Sequence, residues 1–373
     1  MEKQLVEKKN VIQFAGAFIA FLIGSGFATG QEVLQYFCSY GYKGIIGIAM
    51  MFMLFLYVGI DFITVGHKQK FAKSSDIFKY YCGNVIGTFF DYFSIIFIYL
   101  SFIVMIAGAG ATIAEQYALP VQVGGILMGI LATGTVIFGL GRIVDVIGKI
   151  GPVIVVLSIG LGLSALLKNP KGLSTAGELI PKLDMMQAST NWFLAACSYV
   201  GFCMLWLASF MAAIGKTSNS KKEASLGAAG GAVGFSLAVL ILALGMLANI
   251  EQVSGAMVPT LLLANNIHPL VATVFSIIVV LGIYTTSVPL LWSVSSRFTK
   301  EKTNKFKILT VVLAVVGVFV GLEIPFNKLV NVVYVINGYV GILLLGAMFL
   351  KSFRRKFNLE NDTTIYNQSK EAS

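Results

Sequence analysis

The residues with the clearest capacity for chemistry lie near the N-terminus, in Gly24-Ser25-Gly26 followed by Phe27-Ala28-Thr29-Gly30-Gln31-Glu32. The two glycines and the serine interrupt an apolar run, residues 11–37, that carries no charge before Glu32. Glycine inside a helix costs ~1 kcal/mol relative to alanine. In lipid the freed backbone groups also find no water to bond. Such a break survives only where protein shields it or where it lines a cavity, so it points to a binding site near mid-membrane. The backbone N–H groups that open the next helix favour an anion, and glycine lets a ligand come close. Glu32 is an acid inside a membrane-length segment, and such acids face protein or a cavity. Three roles stay open for it: an outer-gate hydrogen bond, proton coupling, or a structural bond to a nearby tyrosine or amide.

A second constellation is Gly282-Ile283-Tyr284-Thr285-Thr286-Ser287-Val288-Pro289. Proline frees a carbonyl about one turn earlier. Freed carbonyls and the hydroxyls of Thr285, Thr286 and Ser287 are the hard oxygen ligands that suit a small cation. The same hydroxyls could instead back-bond to carbonyls one turn up. Other chemistry is poorly represented. The two histidines, His67 and His268, fall at helix ends or loops. Cys38 and Cys82 fall near opposite faces, and Cys197 and Cys203 lack metal-ligand spacing. With no nucleophile–base pair, no metal cluster and no phosphate-binding glycine loop, an enzyme is not expected.

The elements that position these residues follow from composition. The 373 residues are 57% hydrophobic and 12% charged, with a mean hydropathy of +0.84. A membrane-crossing helix needs ~20 apolar residues. Ten stretches qualify: residues 11–37, 43–65, 85–115, 121–140, 146–167, 190–214, 224–248, 270–295, 306–322 and 327–350. They use most of the chain and leave no room for a soluble domain. The whole chain therefore reads as one integral membrane domain, with a polar C-terminal tail over 351–373 that begins in a basic cluster suited to lipid contact.

The net charge of +10 does not imply a nucleic-acid partner, because of how it is distributed. With the N-terminus inside, 22 of the 27 lysines and arginines fall on cytoplasmic segments; only Lys43, Lys168, Lys171, Lys182 and Lys328 lie outside. This predicts a plasma-membrane protein with both termini cytoplasmic, which requires an even number of spans. The turn-rich loop 168–189 divides the ten into halves, 11–167 and 190–350. Five is odd, so the halves have opposite orientations, the inverted-repeat arrangement of many secondary transporters. The first helix of the second half carries Gly201 at its centre, flanked by Ser198 and Tyr199. Its place matches the Gly-Ser-Gly segment, so a second break is expected there.

Read together, the two segments resemble the amino acid–polyamine–cation superfamily, whose members share the ten-helix LeuT-type fold. Ile23-Gly24-Ser25-Gly26-Phe27 looks like the signature of the unwound first helix of amino acid permeases. Ser198-Tyr199-Val200-Gly201-Phe202 looks like the core of their sixth helix, and Thr285-Thr286-Ser287 like the eighth helix of sodium-coupled relatives. Residues 24–35 are most similar to the uncharacterised YkvI-type bacterial membrane proteins. Thr29-Gly30-Gln31-Glu32 departs from the proline that often follows the signature.

The resemblance implies a symporter of an amino acid or similar small amine, working by alternating access with sodium or a proton as coupling ion and no other cofactor. A ligand sensor or a channel on the same fold is the alternative. Amides of Gly24, Ser25 and Gly26 would take the substrate carboxylate, with Phe27 beside them. Carbonyls around Cys197, Ser198 and Tyr199 would take its ammonium, and Phe202 and Tyr99 would line the side-chain pocket. A sodium ion would sit among the carbonyls of Ala20, Ile23 and Gly282 and the hydroxyls of Thr285 and Thr286. Lys149 is the rival to sodium, as an ammonium in the ion site, or else a chain snorkelling to the headgroups.

Overall fold

The computed structural model describes residues 6–138 and 143–356, the side chains of 143–151 and 356 aside. In lipid a backbone must satisfy its own hydrogen bonds, and apolar runs of this length do so as helices. The first span is three pieces: α1 (Lys8–Leu22), α2 (Ser25–Thr29) and α3 (Gln31–Tyr36). Then come α4 (Tyr42–Gln69), α5 (Asp76–Tyr117), α6 (Val121–Phe138), α7 (Ile143–Lys168) and the short α8 (Gly172–Leu179). The second half holds α9 (Trp192–Gly215), α10 (Lys221–Ala248), α11 (Ile250–Val253), α12 (Pro259–Ile267), α13 (Pro269–Phe298) and α14 (Asn304–Glu323). It closes with α15 (Phe326–Leu329), a π-helical turn over Val330–Tyr334, and α16 (Val335–Lys356).

Among the described residues eight helical runs are long and apolar enough to cross a membrane: α4, α5, α6, α9, α10, α13, α14 and Phe326–Arg355. Pro152–Lys168, bent by 92° against Gly172–Lys182, makes a ninth. The tenth expected span, residues 11–37, is divided into pieces too short to count alone. The protein is thus a multi-pass membrane protein.

Polar residues set the helix ends. Asn191 accepts from the Leu194 N–H at 2.9 Å to start α9, and Thr303 from Phe306 at 3.1 Å to start α14. Ser220 accepts from Glu223 at 3.2 Å to start α10. The Glu223 carboxylate then takes the N–H of Asn219, just before the cap, at 3.0 Å, and the Glu7 N–H at 2.9 Å. That last bond ties the entry of α1 to α10. Gly83, at φ 74 and ψ 178, turns the chain between the amphipathic start of α5 and its spanning part.

Two four-helix groups emerge from the packing. The pieces of the first span, α4, α9 and α10 pack together, as do α5, α6, α13 and α14. The remaining two spans bridge the groups: α7 touches α1 and α13, and α16 touches α9 and α5. That pattern repeats after five spans, as an inverted repeat requires. The chain has the LeuT-type fold. The α2 piece lies where the groups meet, against α5, α12 and α13.

One expectation of that fold is corrected. The expected break in the sixth helix is absent: α9 runs unbroken through Gly201. Gly201 is there for packing. A Cβ on it would come within 2.2 Å of the Gly338 carbonyl on α16, and one on Gly341 within 1.9 Å of the Gly201 carbonyl. Glycine lets the two backbones meet, a common device between membrane helices.

Candidate functional site

The first span breaks where the sequence indicates. The last helical residue of α1 is Leu22; Ile23 and Gly24 are extended, and α2 starts at Ser25. The last carbonyls of α1, Ala20 among them, have no intrahelical donor, and the first amides of α2 have no intrahelical acceptor. A Cβ at Gly24 would lie 3.1 Å from the Met105 side chain of α5, so the break sits against the second helix group. A second break, at Gly30, was not expected. Its φ of 87 is left-handed, and a Cβ there would come within 2.2 Å of Met246. The Thr29 hydroxyl donates to the Ser25 carbonyl at 2.6 Å, and the Thr260 hydroxyl of α12 donates to Ala28 at 2.9 Å, holding α2 between the breaks.

The turn at Gly30 lets α3 bring Glu32 back over α2. Its side chain is 3% exposed. One carboxyl oxygen accepts from the Tyr199 hydroxyl at 3.0 Å. A Cβ on Gly26 would come within 2.1 Å of the other oxygen. Gly26, one of the residues assigned to a substrate carboxylate, thus faces a carboxyl of the chain itself.

Around Glu32 the site is aromatic. Tyr36 and Tyr199 meet edge to face at 5.2 Å, Tyr199 and Phe202 at 5.1 Å, and Phe202 stacks on Tyr334 at 4.7 Å. Tyr334 arrives from the π-helical turn, a feature frequent at functional sites. The hydroxyls of Ser25, Tyr36, Ser198 and Tyr334 are buried and make no hydrogen bond. Tyr36 faces Ser198, and Tyr334 faces Ser25, in each case short of bonding geometry. Buried polar atoms are nearly always satisfied, so four orphans around one carboxyl are informative. Phe27, fully buried, packs on Phe235 of α10 at 5.3 Å.

Several anticipated residues lie elsewhere or act differently. Tyr99 is not in this cluster; its hydroxyl donates to the Leu313 carbonyl of α14 at 2.9 Å. The α5 residues at the break are instead Met105 and Gly108. Because α9 is continuous, the carbonyls of Cys197, Ser198 and Tyr199 belong to its hydrogen-bond ladder and are not freed. Tyr36 and Tyr334 were missed. The first is one helical turn past Glu32, a spacing that could have found it; the second carries no sequence signal.

The residues of the expected ion site converge in part. Thr286 Oγ1 lies 3.5 Å from the Ile23 carbonyl and donates to the Gly282 carbonyl at 3.0 Å, which also takes the Thr285 hydroxyl at 2.8 Å. The Ser287 hydroxyl turns to the Ile283 carbonyl at 2.7 Å, so it back-bonds. Pro289 leaves the Thr285 carbonyl without its helical donor. The Lys149 side chain lies outside the described residues. Among the described residues no cluster of histidine, cysteine and acidic side chains could hold a metal ion.

Above the site, at the end remote from the termini, a polar network closes the bundle. Gln35 donates to Gln31 and to the Asn327 carbonyl, both at 2.9 Å, and accepts from Asn331 at 3.1 Å. Gln31 in turn donates to the Ala256 carbonyl at 2.5 Å. At the terminal face, Asp61 takes the Tyr81 hydroxyl at 2.7 Å and lies 3.5 Å from Arg355, while Asp91 pairs with Arg297 at 2.7 Å.

No protein-family model matches the chain. It is 20% identical over 355 residues to the uncharacterized membrane protein YkvI of Bacillus subtilis (strain 168), covering 94% of this chain and 99% of that one. It is 22% identical over 330 residues to the uncharacterized protein YyaD of the same organism, covering 88% and 93%. Among solved structures it superposes on MhsT in complex with L-phenylalanine with a TM-score of 0.61, at 14% identity over 92% of this chain and 89% of that one. On the inward-facing conformation of Mhp1 the score is 0.58, at 14% identity over 90% and 73%.

Proposed function

We propose that this YkvI-like membrane protein of LeuT-type fold is a secondary transporter, moving an amino acid or related small amine across the plasma membrane by alternating access. The observation that carries the reading is the break at Ile23–Gly24, set between the two helix groups and beside four unsatisfied buried hydroxyls. A packed core has no use for such an arrangement, whereas a solute with polar groups would complete it. The two groups meet along α2 and α9 and are bridged by α7 and α16, and rocking one against the other would open the site to alternate faces.

Coupling to a cation has two supports. The carbonyls of Ile23 and Gly282 and the Thr286 hydroxyl come together beside the break, suited to sodium. Glu32, buried with a tyrosine as its side-chain partner, suits a proton, since a bare carboxylate in such surroundings is costly. Lys149 keeps its place as the rival to sodium. The lysine and arginine distribution supports cytoplasmic termini.

Uptake of radiolabelled amino acids and amines into proteoliposomes tests the reading. Accumulation driven by a sodium or a pH gradient is expected. Binding without accumulation under either gradient would leave a ligand sensor.

A further inference from the structure

The central site is already furnished with an anion. Glu32 occupies the space above Gly26, where an incoming carboxylate would have to lie. Two carboxylates in one buried site repel, and one must then carry a proton. Among the described residues, the titratable groups that face Glu32 are Tyr36 on α3, Tyr199 and Cys203 on α9, and Tyr334 on the π-helical turn. None of these is a cation. What the site lacks is a positive charge to set against Glu32.

We infer that the solute is a monoamine without a carboxylate of its own: a primary ammonium on an apolar or aromatic tail, with Glu32 as its counter-charge. An ammonium brings three donors and no acceptor. The unpartnered hydroxyls of Ser25, Tyr36, Ser198 and Tyr334 can accept them, and all four residues are fully buried. The faces of Tyr36, Tyr199 and Phe202 attract a cation through their ring quadrupoles. The pairing also neutralises a buried carboxylate that would otherwise stand alone. One carboxyl balances one ammonium, which separates a monoamine from a polyamine. The tail would lie along Phe202 and Tyr334, whose stacked rings extend toward Phe97 and Trp206.

This inference rests on the transporter reading for its biological sense but not for its test. Matched pairs are the probes: phenylalanine against phenethylamine, leucine against isoamylamine, with spermidine as the polyamine. Thermal shift and calorimetry on the purified full chain read binding, and proteoliposome flux reads transport. The amine of each pair should bind at least tenfold more tightly than its amino acid. Glu32→Gln, which keeps an acceptor for Tyr199, should weaken amine binding roughly 10- to 100-fold. Tyr334→Phe and Tyr36→Phe remove hydroxyls that bond nothing in the protein. They should therefore leave the melting temperature unchanged or raised while amine affinity falls, which a purely structural role would not produce.

An amino acid bound as well as its amine would overturn the inference. So would amine binding indifferent to Glu32→Gln, or no binding by any amine. Amino acid flux with no amine flux would sink the amine assignment and leave the transporter standing. Amine binding without flux would do the reverse.

Discussion

Glu32 owes its position to two neighbours that can be changed separately. Tyr199 supplies its side-chain hydrogen bond at 3.0 Å. Tyr199→Phe removes that donor from a buried acceptor and should cost ~1–3 kcal/mol of stability, read by denaturant or thermal unfolding. Gly26 gives it space. Gly26→Ala would drive a methyl into the carboxyl, at 2.1 Å, so the side chain must leave its place. Ligand-induced stabilisation should be lost in that variant even where the fold is retained. Gly30 is more demanding, because its φ of 87 is left-handed. Gly30→Ala should cost at least ~1–2 kcal/mol from backbone strain, before the contact with Met246 is counted. The importance of Gly24-Ser25-Gly26 could be read from the chain alone, since two glycines so close together in an apolar run weaken the helix where lipid cannot satisfy its backbone. The place of the Glu32 carboxyl could not, because it depends on the left-handed turn at Gly30 and on a tyrosine 167 residues away.

At the scale of elements, the two halves use glycine for different ends. In the first span glycine breaks the helix; in α9 it joins one helix to another. Gly201→Ala would set a Cβ against the Gly338 carbonyl, a backbone atom that cannot swing aside. It should cost ~1–3 kcal/mol by overpacking and separate α9 from α16, measured as a lower melting temperature in detergent. Local sequence could not separate these roles. Both helices show glycine among apolar residues, and only the approach of α16, far along the chain, decides which role Gly201 takes. The hydroxyl run on α13 behaves similarly. Thr285, Thr286 and Ser287 all bond one turn back, and only Thr286 also reaches toward Ile23. Thr286→Val should therefore abolish any sodium dependence of ligand binding, whereas Ser287→Ala should leave it intact.

At the scale of the molecule, the network around Gln35 holds the bundle shut at the face remote from the termini. Gln35 bonds Gln31, Asn327 and Asn331 at once, and so links the first span to the opening turns of the last. Gln35→Ala should favour opening at this face. Cys38 lies one turn further along the chain and is fully buried. In a chain whose other three cysteines are serine, Cys38 should react faster with a membrane-impermeant maleimide once Gln35 is changed. An unchanged rate would place the gate elsewhere.

The sequence by itself determined that this chain lies in a membrane, crosses it many times and breaks its first span at Gly24. These follow from local chemistry: lipid cannot satisfy a backbone, so long apolar runs must be helical and glycines mark where a helix gives way. It also placed Phe202 and Glu32 among the residues of interest. Only the tertiary structure decided that the sixth helix stays whole, that Tyr99 turns away to α14, and that Tyr36 and Tyr334 complete the aromatic wall. Each of these depends on which distant helix stands opposite, and in a bundle of similar apolar helices that choice is made by packing across the whole chain rather than by any residue's neighbours in sequence.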